Sequence, residues 1–233
     1  MVAFPILSSI IIAPLIGAII ALFIKGKEKS ISKNLRELAL WTSIVELVLV
    51  IILIVQFDFS NADFQFIEKK NILSKFGVSY HLGIDSISLI FIILTTVLFP
   101  ICFFYTRLSI KFRTREFVIS MLFLEALTVG VFCSLDIVLF YIFFESLLIP
   151  MFLIIGIWGG KNRIFSSFKF FLYTLAGSVF FLISIIFIAY TSNTTSIIEL
   201  DNYYFDTYVQ KWLWLGMFLS FAIKVPMWPF HTW

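Results

Sequence analysis

The sequence predicts an all-α polytopic membrane protein, and composition and run length carry that reading. Hydrophobic residues make up 61% of the 233 and charged residues 13%, with a mean hydropathy of +1.05. A soluble domain carries about a quarter charged residues and about half apolar ones, so lipid is the solvent for most of this chain. The apolar residues also gather into runs close to the ~20 that a helix needs to cross a hydrocarbon core of about 30 Å.

Seven such runs predict about seven transmembrane helices, over 4–24, 38–57, 84–105, 117–134, 137–157, 166–190 and 212–228. The first has neither a basic start nor a small-residue cleavage site, so it reads as a retained helix rather than a signal peptide. Basic residues crowd the odd-numbered loops: Lys25, Lys27, Lys29, Lys33 and Arg36, then Arg107, Lys111, Arg113 and Arg115, then Lys161 and Arg163. The even loops hold Lys69, Lys70, Lys75 and Lys211. Positive charge stays cytoplasmic, so the amino terminus is expected outside. Residues 58–80 read as a long outer loop in which Phe64 to Ile67 could lie in the interface. Cys102 and Cys133 fall inside apolar runs and read as small buried hydrophobes, too few for a cluster or a disulfide framework.

Glu46, Glu125, Glu145 and Lys224 lie within the predicted spans. A charge at the centre of a membrane helix costs about 2.5–3.5 kcal/mol on insertion scales and marks a functional site by default. At about 1.5 Å of rise per residue, Glu125, Glu145 and Lys224 all come near the midplane, where a proton relay would sit. Apposition of a buried carboxylate and an ammonium favours both charged forms, and separation releases the lysine proton. A motion that changes the Glu145–Lys224 distance would therefore load and unload a proton. Glu125 is balanced between a relay group and a helix-packing partner, and Glu46, on a peripheral helix, reads as a locally bonded or protonated carboxyl. Pro226 and Pro229 follow Lys224 closely and predict a break in the seventh helix, since each removes a backbone N–H and obstructs a carbonyl four residues back. Such irregular backbone is tolerated at membrane depth only in protein or beside a water-filled cavity. His231 follows the break and is a candidate to pass protons onward, whereas His81 is given no role. There is no nucleotide fingerprint, P-loop or cysteine set for an iron–sulfur cluster.

Several stretches carry a resemblance. LDIVLFYIFFESLLIPM, from Leu135 through Met151, together with IGIWGG from Ile155, resembles the fifth-helix signature of the antiporter-like chain M family of respiratory NADH:quinone oxidoreductase, called chain 4 in mitochondria. GIDSIS from Gly83 resembles the start of that family's third helix, and FAIKVPMWPFHTW from Phe221 its broken seventh. The resemblance implies a fourteen-helix protein of which this is the first half, with Glu145 the essential membrane glutamate and Lys224 its partner. It divides the chain into three leading helices, 1–115, and the truncated first part of a proton-translocating repeat, 116–233. It further implies no cofactor on this chain, with NADH, FMN, iron–sulfur clusters and quinone held by other subunits. The implied partners are other membrane subunits, neighbouring antiporter-like ones above all, and the lipid bilayer. The implied location is a bacterial inner membrane, or the mitochondrial inner membrane for an organelle-encoded chain. A subunit of a multisubunit cation/proton antiporter or membrane-bound hydrogenase shares the Glu–Lys arrangement and is the alternative. A scaffold whose acids only pin helices, and a stand-alone membrane enzyme, are weaker readings.

Overall fold

A computed structural model describes residues 4–26, 28–73 and 77–233. Lys27 and Lys75 of the charge pattern lie outside the described residues, as do the side chains of Lys29 and Arg107. The elements are α1 (Ile6–Phe23), α2 (Glu28–Gln56), β1 (Gln65–Leu73), β2 (Val78–Ile84), α3 (Ser86–Ser109), α4 (Thr114–Cys133), α5 (Ile137–Ser146), α6 (Leu148–Trp158), α7 (Arg163–Ser192), α8 (Ile197–Leu200) and α9 (Thr207–Lys224). They cluster into two units, Met1–Glu68 with Leu82–Ser134, and Lys69–His81 with Leu135–Trp233.

Among the described residues, six helical stretches are long and apolar enough to cross a membrane: α1, α2 from Ser30, α3, α4, the stretch Ile137–Trp158, and α7. The expected seventh span is present as α9 but falls short of that measure, because Gln210, Lys211 and Lys224 sit within its eighteen residues. Where 58–80 read as a loop, β1 and β2 pair as a two-stranded sheet. The expected span over 137–157 is present as the stretch Ile137–Trp158, which is divided into two helices at Leu147. Pro150 explains the interruption, since it cannot donate to the Ser146 carbonyl one turn back and its ring obstructs that carbonyl.

The first unit packs α1 to α4 against one another. Its helices show the polarity of a membrane protein, with Ile, Leu, Val and Phe exposed along α1, α2 and α3 and hydroxyls inside. Ser43, Thr95 and Thr96 are buried and bond to carbonyls one turn earlier on their own helices, which satisfies a hydroxyl where no water reaches. Gly17 lets α1 approach α2 closely, for a Cβ there would stand 2.6 Å from Cγ2 of Thr42. The basic residues do more than set topology. Arg115 of α4 donates to the Ile24 carbonyl at the end of α1, and Arg36 of α2 to the Ile110 carbonyl at the end of α3. Both place a cation on unpaired carbonyls at the negative end of a helix dipole. Cys133 is buried as expected, while Cys102 is exposed.

In the second unit α7 packs against α5, α6 and α9. The α7–α9 contact needs Gly177, where a Cβ would come within 2.9 Å of Ile223 Cδ1. Phe140, Phe144, Phe181 and Phe221 interlock around it, with ring centroids 5.3 to 6.4 Å apart. At one end of the unit, Asp136 is fully buried and accepts five hydrogen bonds. Its Oδ1 caps α5 through the N–H groups of Val138 (2.9 Å) and Leu139 (3.2 Å). Its Oδ2 takes the Ser79 N–H (2.9 Å), the Ser79 hydroxyl (3.2 Å) and the Thr195 hydroxyl (2.6 Å). One carboxylate thus ties the hairpin tip, the start of α5 and the strand-like segment before α8 together.

Beside it, Lys69 pairs with Glu199 at 3.1 Å, and Glu199 also accepts from the Thr194 hydroxyl. The Thr194 bond, then Lys69, holds the Glu199 carboxyl below its ordinary value of 4.5. His81, 3% exposed, is held below 6.5 by burial and by the Lys69 charge, against the pull of Asp136 and Glu199. Both shifts have the same sign for stability. A depressed histidine favours the fold above its unfolded value and opposes it as protonation sets in, and a depressed carboxylate loses its contribution as pH falls through its folded value. Amide protection factors at residues 77–81 and 194–200, measured against the intrinsic exchange rate at each pH, are therefore expected to fall from about pH 6.5 downward and again below about pH 4.5. The first step is expected to vanish in H81Q. The Lys69–Glu199 pair is half exposed, so E199Q is expected to cost less than about 1 kcal/mol at neutral pH.

Candidate functional site: a lysine–glutamate pair between two interrupted helices

Lys224 is the last residue of α9, and Glu145 is the penultimate residue of α5. Each therefore sits where a helix breaks. The two side chains meet with Lys224 Nζ 3.7 Å from Glu145 Oε2, and they are only 15% and 19% exposed. At that length the contact is an ion pair rather than a hydrogen bond, and both Glu145 oxygens have no hydrogen-bond partner. The ammonium instead donates to the Phe144 carbonyl at 2.7 Å and lies 3.2 Å from the centroid of the Phe144 ring. A carbonyl and a π face are both acceptors for a cation. Lys224 is thus held on three sides, and Glu145 is its only charged contact among the described residues. A recess of about 360 Å³ lined by Tyr141, Ile142, Ser146, Ile149 and Phe171 opens beside Glu145.

The expected break after Lys224 is present, and its carbonyls can be followed one by one. Pro226 cannot serve the Ala222 carbonyl, so the Met227 N–H shifts by one residue and donates to it at 2.9 Å. That leaves the Ile223 carbonyl without its usual donor, and the indole N–H of Trp233 fills the place at 2.7 Å. Pro229 lies beyond, in a stretch of turns. The Ala222 and Ile223 carbonyls at the break are thus both satisfied within the protein. Sequence reasoning passed over two contributors. Phe144 was seen only as part of an apolar run, and Lys169, early in α7, donates to the Thr232 carbonyl past the break.

The other expected groups lie apart from the pair. His231 is exposed and takes no part in the Glu145–Lys224 contact. Glu125 belongs to the first unit, where it and Glu46 of α2 are fully buried and within electrostatic reach of one another. Of the two readings the sequence offered for Glu46, locally bonded or protonated, the first is absent: neither side-chain oxygen has a hydrogen-bond partner among the described residues. Its position was legible, but the face of α2 that turns toward α4 was not.

Comparison with known proteins fits this geometry. Residues 134–233 match the family described as NADH:quinone oxidoreductase/Mrp antiporter, transmembrane. The chain is 40% identical to NADH-quinone oxidoreductase subunit M of Rickettsia prowazekii over 236 aligned residues, covering 100% of this chain and 48% of the relative. It is 43% identical to NADH-ubiquinone oxidoreductase chain 4 of Arabidopsis thaliana, covering 97% of this chain and 46% of that one. In fold it resembles a chain of respiratory complex I from Thermus thermophilus with a TM-score of 0.83, at 24% identity and covering 97% of this chain and 45% of that one. The chain spans about half the length of the curated relatives it matches. It is a membrane protein similar over its whole length to subunit M, and over 97% of its length to chain 4, of NADH:quinone oxidoreductase, and residues 134–233 match the transmembrane model of the NADH:quinone oxidoreductase/Mrp antiporter family.

Proposed function

We propose that this chain contributes the first proton-handling site of a proton-translocating subunit of NADH:quinone oxidoreductase. The observation that carries the reading is the Glu145–Lys224 ion pair, nearly buried and placed at two helix breaks. A buried pair of opposite charge is a coupled site whose proton occupancy follows its separation. The helix ends at Leu147 and Val225 are where that separation can change, because Pro150 and Pro226 each withhold a backbone donor from the turn before them. NADH oxidation and quinone reduction, with their FMN and iron–sulfur centres, belong on this reading to other subunits, and the site partners are neighbouring antiporter-like membrane subunits. Residues 116–233 form the first part of the proton-translocating repeat and 1–115 the helices before it. Arginines at the ends of α1 and α3 support the placement of the odd loops inside and the amino terminus outside, in a bacterial inner membrane. Glu125 and His231 remain candidate relay groups, the latter exposed beyond the break. The family description also covers Mrp antiporters, so a cation/proton antiporter subunit is the second reading.

The test is E145Q in the full-length gene within its complex, with NADH oxidation and proton uptake followed in inverted membrane vesicles. Assembly is checked on native gels. The expected result is an assembled complex whose pumping and coupled turnover collapse. Unchanged pumping would reduce Glu145 to a packing residue. Pumping driven by a sodium gradient and not by NADH would favour the antiporter reading.

A further inference from the structure

The Glu46–Glu125 contact in the first unit has a chemistry of its own. Glu46 of α2 and Glu125 of α4 lie on helices packed against each other, each within the other's electrostatic reach, and none of their four oxygens has a hydrogen-bond partner among the described residues. Both residues are 0% exposed, and no N–H or hydroxyl of another described residue bonds to any of the four oxygens. No lysine, arginine or histidine is among the groups that act on either carboxyl. The titratable neighbours are Cys102 on α3, beside Glu125, and Cys133 on α4, within electrostatic reach of Glu46. The segment of α1 packed against these helices carries no titratable residue. Nearby hydroxyls are committed elsewhere: Thr42 to Leu38, Ser43 to Ala39 and Thr128 to Leu124.

Two ionised carboxylates cannot stand in contact inside apolar helices with no counter-charge. A hard cation wants about six oxygen ligands or more, and four oxygens with no free hydroxyl fall short. A single proton suffices, since it turns the contact into an O–H···O bond between a carboxylic acid and its partner, among the stronger hydrogen bonds available. We infer that Glu46 and Glu125 together form a proton-binding site that clamps α2 to α4, separate from the Glu145–Lys224 pair.

The test uses the full-length protein in its native complex, with infrared spectra of wild type, E46Q, E125Q and E46Q/E125Q in H₂O and D₂O. The wild type is expected to show a protonated-carboxyl C=O band that shifts in D₂O and is lost in the double variant. Each single variant is expected to move the band of the carboxyl that remains, because each removes the other's partner. E46K, which supplies a fixed cation, is expected to extinguish the band by ionising Glu125. The double variant keeps uncharged hydrogen-bonding amides and is expected to assemble on native gels, which guards against reading misfolding as loss of the site. A double variant with the wild-type carboxyl spectrum overturns the proposal, as do single variants whose losses simply add with no shift. Loss of the wild-type band when sodium replaces potassium in the buffer would show a cation site and overturn it as well.

Discussion

Replacing Lys224 with methionine is expected to lower proton pumping by about a hundredfold or more while leaving a similar side-chain volume in place. The ammonium has a carboxylate 3.7 Å away, a carbonyl at 2.7 Å and an aromatic face at 3.2 Å. Methionine keeps the packing against Phe144 and loses all three electrostatic contacts. Glu145 then faces no counter-charge, and orphaning one member of a buried pair costs about 3–5 kcal/mol, reduced here by the small solvent access at both ends. The pair therefore cannot be dissected one residue at a time. K224M combined with E145Q removes both charges and is expected to recover stability relative to K224M alone, because replacing both partners is far cheaper than stranding one. Pumping is expected to stay lost in the double variant. K224R keeps the charge but presents a planar fork to a site shaped for a point charge, so partial pumping is expected. Thermal stability of the complex and proton uptake in vesicles read the two effects separately, and K224M that pumps like the wild type would remove the pair from the proton path.

Asp136→Ala is expected to be the most destabilising single change outside the helices' apolar packing. It removes the cap of α5, worth about 0.5–2 kcal/mol, and three further bonds to a buried carboxylate, of which each charge-assisted one contributes about 1.5–3 kcal/mol. The Ser79 N–H would be left without its partner in a site closed to water, while the Thr195 hydroxyl would keep only the Gly77 carbonyl at 3.0 Å. A loss of at least about 3 kcal/mol is expected, read as fast amide exchange at 77–81, 137–139 and 194–197. D136N, which still offers one carbonyl oxygen, should lose less. Equal exchange in D136A and wild type would show that the hairpin tip is held by its own backbone bonds.

How much of this was open to a reader of the sequence follows from which property each feature depends on. The spans depend on length and apolarity alone, so six of the expected seven could be delimited closely, and α9 failed the measure because Gln210 and Lys211 sit in its first turns. The hairpin depends on cross-strand pairing, and Gln65–Leu73 carries Glu68, Lys69 and Lys70 in succession, which blurs the alternation that marks a strand. The split of the fifth helix had a visible cause in Pro150, yet proline near a helix start is ordinary, and only the break shows that a new helix starts there. Glu145 and Lys224 were paired by their depth along the predicted spans and by a resemblance, and they stand 3.7 Å apart. Glu46 and Glu125 sit on separate helices whose relative rotation no periodicity in either one reveals.

The start of α1 has one more consequence, for the order in which the chain is made. Pro5 offers α1 no side-chain cap, and the carboxylate of Glu68 takes the part instead, accepting from the Leu7 N–H at 2.9 Å and from the N–H and hydroxyl of Ser8. The cap lies 61 residues downstream of the helix start it completes. A ribosome emits α1 and α2 before it emits that glutamate, so the first helix must enter the bilayer with its leading amides unanswered and is finished only when β1 arrives. Assembly of this unit is on that account a closing of a ring rather than a sequence of independent insertions, and the start of α1 is capped only after α2 has been made.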